Sequence, residues 1–93
     1  MKELTDESFE NETQTGKVLV DCYAKWCGVC KMIKPKLEEL EKKSDYKFLG
    51  LEVDKCPQIA IKLGVNNLPT LILFEDGKET KRGSFDIISK LEE

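Results

Sequence analysis

The sequence predicts an α/β fold: a mixed central β-sheet flanked by helices on both faces, in one domain spanning residues 1–93. Three observations lead there. An apolar, β-branched run at Lys17–Ala24 passes into an amphipathic segment at Cys27–Lys43 and then into a second strand-like run at Tyr46–Asp54. Such a strand–helix–strand succession demands parallel pairing through a right-handed crossover. A later apolar run, Thr70–Phe74, stops at Asp76-Gly77, a dipeptide that favours a tight hairpin, so the last two strands run antiparallel.

Taken in order, the chain opens with a short strand, and a polar helix at Ser8–Glu12 follows Thr5-Asp6, residues suited to cap it. Lys17–Ala24 begins after Gly16 and is apolar on both faces of its alternation, as a strand covered by helices on both sides must be. In Cys27–Lys43, Ile33, Leu37 and Leu40 form one inward stripe, while Lys31, Lys34, Glu38, Glu41 and Lys42 lie outward. Pro35 removes one backbone donor inside that helix and is expected to bend it. Pro57–Leu63 reads as a short helix opened by proline and closed by Gly64. Lys78–Arg82 is a polar strand suited to a sheet edge, and Phe85–Leu91 is a last helix with Ile87, Ile88 and Leu91 inward.

Composition narrows the function. Fifteen basic and eighteen acidic residues give a net charge of -3, which argues against nucleic acid as a partner. No stretch has the roughly 18–20 apolar residues of a membrane span, so no membrane contact is expected. The first residues, Met1-Lys2-Glu3-Leu4-Thr5-Asp6-Glu7, lack the apolar core of a secretory signal, and a cytoplasmic location is expected. The chain contains no histidine, which leaves carboxylates, thiolates and lysines as general bases.

Four cysteines, Cys22, Cys27, Cys30 and Cys56, suggest a disulfide scaffold, a metal site or a redox centre. Scaffolds are loop-rich whereas this chain is periodic, and structural zinc normally takes two spaced pairs or a pair with histidines. Redox chemistry fits best. Trp26-Cys27-Gly28-Val29-Cys30 stands where a strand hands over to a helix. There, unpaired N–H groups and the positive end of the helix dipole favour a thiolate, the form that attacks disulfides. Cys27 is then the open attacker, and Cys30, one turn inside, resolves the mixed disulfide. Asp21, within an apolar strand, is either buried with a raised pKa or turned to solvent at an irregularity. Trp26 beside the cysteine suits a partly open apolar rim. Cys22 reads as a small buried hydrophobe, and Cys56, in a polar loop before Pro57, as an exposed thiol.

The segment VDCYAKWCGVCKMIKP resembles the active-site segment of the thioredoxin family, and NNLPTLILFEDGK resembles its second signature; the likeness runs over nearly the whole chain. The resemblance implies a thioredoxin fold, a monomer, and protein-disulfide reduction through a reversible Cys27–Cys30 disulfide with no bound cofactor. It implies as partners disulfide-containing client proteins and a flavin- and NADPH-dependent thioredoxin reductase or an equivalent electron donor. It gives Asp21 the task of moving the Cys30 proton. It also implies a cis Pro69 and a client groove shaped by Trp26, Gly28, Val29, Leu68 and Pro69. An oxidase or isomerase of the same fold, a non-catalytic binding subunit and a glutathione-dependent enzyme are the rival readings. Where many members carry lysine near the aspartate, this chain has Gly50, and Asn67 replaces a common glycine. Val29 replaces the family's usual proline between the cysteines and relaxes that turn. A redox potential less reducing than the proline form by ~10 to 40 mV is expected, 30 mV being about 1.4 kcal/mol for two electrons. Equilibration of wild type and Val29→Pro against a thiol buffer measures it; an equal or higher potential in the proline variant refutes it.

Overall fold

The computed structural model describes residues 1–93. Its elements are β1 (Lys2–Glu3), α1 (Phe9–Thr13), β2 (Lys17–Tyr23), α2 (Gly28–Glu41), β3 (Lys47–Glu52), α3 (Pro57–Leu63), β4 (Thr70–Glu75), β5 (Lys78–Gly83) and α4 (Phe85–Glu92). The five strands lie in the order β1-β3-β2-β4-β5. β3 is parallel to both β1 and β2, whereas β4 is antiparallel to β2 and β5.

Alternation along the strands builds two cores. Val18, Val20 and Cys22 of β2, with Leu49 and Leu51 of β3 and Ile72 and Phe74 of β4, face α1 and α3 through Phe9 and Ile59. Leu19, Phe48, Leu71 and Leu73 take the other face, beneath Ile33, Leu37 and Leu40 of α2 and Ile87 and Ile88 of α4. The expected inward stripe of α2 is therefore the one buried, and the helix continues through Pro35 to Glu41. Asp76 and Gly77 adopt φ values of 50° and 84°, the left-handed turn that joins β4 to β5 with the twist the strands need. Gly64, at φ 66°, closes α3 in the left-handed conformation that glycine takes without steric cost.

Two expectations change. Thr5 and Ser8 exchange hydrogen bonds ahead of α1, but the Asp6 carboxylate accepts from the backbone N–H of Ile59 at 3.0 Å, so it serves α3 instead. Cys56 is not an exposed loop thiol. It immediately precedes α3, with its side chain turned into the core beside Leu4; its Sγ donates to the carbonyl of Leu4 at 3.2 Å and it is fully buried. Its polar sequence neighbours point outward, which is why local composition misleads. Burial pushes its thiol above the ordinary range.

Leu37 is fully buried between α2 and the sheet. Leu37→Ala is expected to lower stability by about 3 kcal/mol through lost transfer energy and a residual cavity. Denaturant unfolding checks this, with a lowered midpoint and an unchanged slope.

Candidate active site

β2 ends at Tyr23, and Ala24 to Trp26 lead into α2. Cys27 is the N-cap of that helix, with extended φ and ψ of -89° and 109°, and its Sγ accepts the backbone N–H of Cys30 at 3.2 Å. A sulfur here meets one of the helix's otherwise unpaired donors as well as the positive end of its dipole. The two cysteines are joined by a disulfide with their Cα atoms 5.3 Å apart. Cys27 is 8% exposed and Cys30 4%: both are buried, and Cys27 is more covered than the open position expected of it. Ala24, Tyr23, Val53 and Leu68 pack around the pair.

Asp21 lies on the α2 face of β2, beside Gly50 of β3 and Leu71 of β4. It is only 3% exposed, and its Oδ1 has no hydrogen-bond partner within the protein. Desolvation of the charged form, reinforced by the nearby charge of Glu3 and opposed by that of Lys34, raises its pKa to about 7. A cavity of about 190 Å³ lined by Asp21, Tyr23, Ala24, Lys25, Cys30, Lys31 and Lys34 brings its carboxyl and Cys30 onto one space. The buried reading of this aspartate thus holds and the solvent-facing alternative does not. Cys22, on the opposite face, sits in the core as expected, and burial followed by the Asp21 charge pushes its thiol up to about 12.

The remaining site residues gather at the same end of the sheet. Trp26 is 72% exposed, with its indole Nε1–H donating to Asp54 Oδ2 at 3.0 Å. Gly28, Val29 and Met32 are also exposed along the start of α2. Pro69 is buried, the Leu68–Pro69 bond is cis, and Leu68 packs against the cysteine cluster. Sequence reasoning did not find Asp54, which fixes the indole, or Glu3 and Lys34, which flank Asp21. Asp54 ends a strand-like run and carries no local signal, and Glu3 depends on how β1 registers against β3. The larger groove, about 580 Å³ between α1 and α3, is lined by neither cysteine of the pair.

Residues 1–90 match the family model described as Thioredoxin. The chain belongs to the thioredoxin family. Among curated relatives, the thioredoxin of Chlamydia muridarum is 45% identical over 80 residues, covering 85% of this chain and 78% of that one. The thioredoxin of Staphylococcus saprophyticus is 49% identical over 77 residues, covering 81% and 74%. Among solved structures, the oxidized form of mitochondrial thioredoxin 3 from Saccharomyces cerevisiae superposes with a TM-score of 0.89 at 31% identity, over 99% of this chain and 93% of that one. Fasciola hepatica thioredoxin does so at 0.86 and 32%, over 99% and 97%. The mixed sheet with flanking helices is the thioredoxin fold, Trp26-Cys27-Gly28-Val29-Cys30 is its redox-active segment, and the activity is protein-disulfide reduction. No helix is long and apolar enough to cross a membrane.

Asp21 leaves a thermodynamic signature in this thioredoxin. Its folded pKa of about 7 lies above the ordinary 3.8, so between those values the folded protein binds the extra proton and stability falls as pH rises. Above pH 7 the full cost is present; below pH 4 it is absent. Asp21→Asn is therefore expected to gain stability at pH 8, by a few kcal/mol at about 1.4 kcal/mol per pKa unit, relative to its effect at pH 4. Paired denaturant titrations at the two pH values measure this, and a gain independent of pH contradicts the assignment.

Proposed function

We propose that this chain acts as one thioredoxin domain that passes two electrons from a reductase to client proteins. Cys27 Sγ attacks a client disulfide, forming the Cys27–client bond while the other client sulfur leaves as a thiolate. The Asp21 carboxylate then takes the thiol proton of Cys30 through the cavity they share. The Cys30 sulfur bonds to Cys27 Sγ, and the bond to the client breaks with its electron pair on the second client sulfur. The client gains two electrons and the pair is left as the Cys27–Cys30 disulfide, which a thioredoxin reductase or equivalent dithiol donor restores.

The observation that carries this reading is the place of Cys27 at the cap of α2, where the Cys30 N–H points at its sulfur at 3.2 Å. That donor stabilises negative charge on Cys27 and leaves Cys30 one turn below as the resolving group. Supporting it, Trp26 and Val29 are exposed beside the pair and Leu68 packs against it, and with Gly28 and Pro69 they form the groove for an extended client segment, whose backbone adds to that of Leu68. The chain works as a monomer in the cytoplasm, where the thiol pool keeps such a pair reducible.

The decisive experiment replaces the resolving cysteine. Cys30→Ser is expected to hold clients as mixed disulfides on Cys27 that reductant releases, while Cys27→Ser holds none. Asp21→Asn is expected to slow insulin-type disulfide reduction roughly a hundredfold at neutral pH, the lower end of the range for a lost proton-transfer group. Trapping on Cys30 in place of Cys27 would reverse the roles of the two cysteines.

A further inference from the structure

Gly50 leaves a gap on the sheet face that carries Asp21, and another residue fills it. β1, β3 and β2 align Glu3, Gly50 and Asp21 in one row, with Glu3 and Asp21 each opposite Gly50. Residues directly opposite in paired strands share a face, so both acidic side chains project toward the α2 side with no side chain between them. The Glu3 carboxylate leans across: a Cβ at Gly50 would collide with it. It is anchored there by the Tyr23 hydroxyl, which donates to Glu3 Oε1 at 2.7 Å from a position two residues beyond Asp21 on the same face.

We propose that Glu3 is a positioning residue of the disulfide reaction, its carboxylate held over Gly50 by Tyr23 so that its negative charge makes Asp21 a stronger base toward Cys30. The inference rests on the proton-carrying role of Asp21 proposed above. Other groups facing this region are few. β3 adds Glu52, opposite Tyr23 and salt-bridged to Lys55 at 3.8 Å; β4 adds only Leu71. α2 adds Cys30, Lys31 and Lys34, of which Lys34 opposes Glu3 in its effect on Asp21, and Lys25 lies at the cavity mouth. Glu3 is thus the nearby charge that most strengthens Asp21 as a base, and it can stand there only because position 50 has no side chain. Its Coulomb effect falls on a buried group and is felt more strongly than between two solvated charges.

The test is the carboxyl titration of Asp21 by carbon-13 NMR in the oxidised protein, where neither Cys27 nor Cys30 titrates; Asp21→Asn assigns the signal. Glu3→Gln keeps an acceptor for Tyr23 and removes the charge. Its Asp21 midpoint is expected to fall by about half a pH unit or more, half a unit being the effect of one charge at several ångströms in water and the floor for a buried group. Glu3→Lys is expected to lower it further, and both shifts to shrink in 1 M salt. The pH midpoint of the single-turnover resolving step is expected to move with them. An unmoved titration, or equal shifts from Gln and Lys, overturns the inference, because a purely structural role does not grade with charge. The parent reading is decided separately by Asp21→Asn: undiminished resolution there removes the role of Asp21, whereas the titration series depends on the charge of Glu3 alone.

Discussion

Everything at the active end depends on β2 being held from both sides. It pairs with β3 in parallel and β4 in antiparallel, and both of its faces are covered by helices. A slip of one residue would carry Val18, Val20 and Cys22 to the wrong face and turn Asp21 into the opposite core, so the register is strongly determined. Because β2 cannot move, the point where it hands over to α2 cannot move either. Cys27 is therefore delivered to the helix cap and Asp21 to the space behind Cys30 by the same constraint.

That constraint leaves Asp21 desolvated. A carboxyl at 3% exposure with one oxygen unpartnered weakens the fold once ionised, and the apolar residues around it offset this. In the proton-carrying role proposed for Asp21 that cost has a use, since a base whose pKa is about 7 exchanges protons readily near neutrality. The row Glu3–Gly50–Asp21 carries the proposal to the sheet edge, where an exposed residue of a two-residue strand shares a face with a buried one.

Access is organised separately from reactivity. Trp26, Val29 and Met32 are among the few large apolar side chains left open, and all three lie at or just before the start of α2 beside the disulfide. The Trp26–Asp54 hydrogen bond satisfies the polar atom of the indole and leaves its apolar face free. Cys22 and Cys56, by contrast, are buried away from this surface among aliphatic side chains, which separates the two structural thiols from the reactive pair.

Local pattern made most of this legible. The periodicity of 17–24 and 27–43 specified the central strand and the helix stripe, Asp76-Gly77 the hairpin, Gly64 a helix end, and the spacing of Cys27 and Cys30 the reactive pair, because each is a property of neighbouring residues. What sequence could not supply were relations between distant segments. Cys56 is buried because the start of α3 docks against the Leu4–Asp6 segment that follows β1, Asp6 pairs with Ile59 across 53 positions, and Glu3 is brought to the face of Asp21 only by the β1–β3 register. By itself the sequence determined which residues alternate inward and which sulfurs share a helix turn, since backbone geometry sets those periods. Only the tertiary structure decided which charges stand beside the buried carboxyl, because electrostatic neighbours are chosen by strand order, and strand order is a property of the whole sheet.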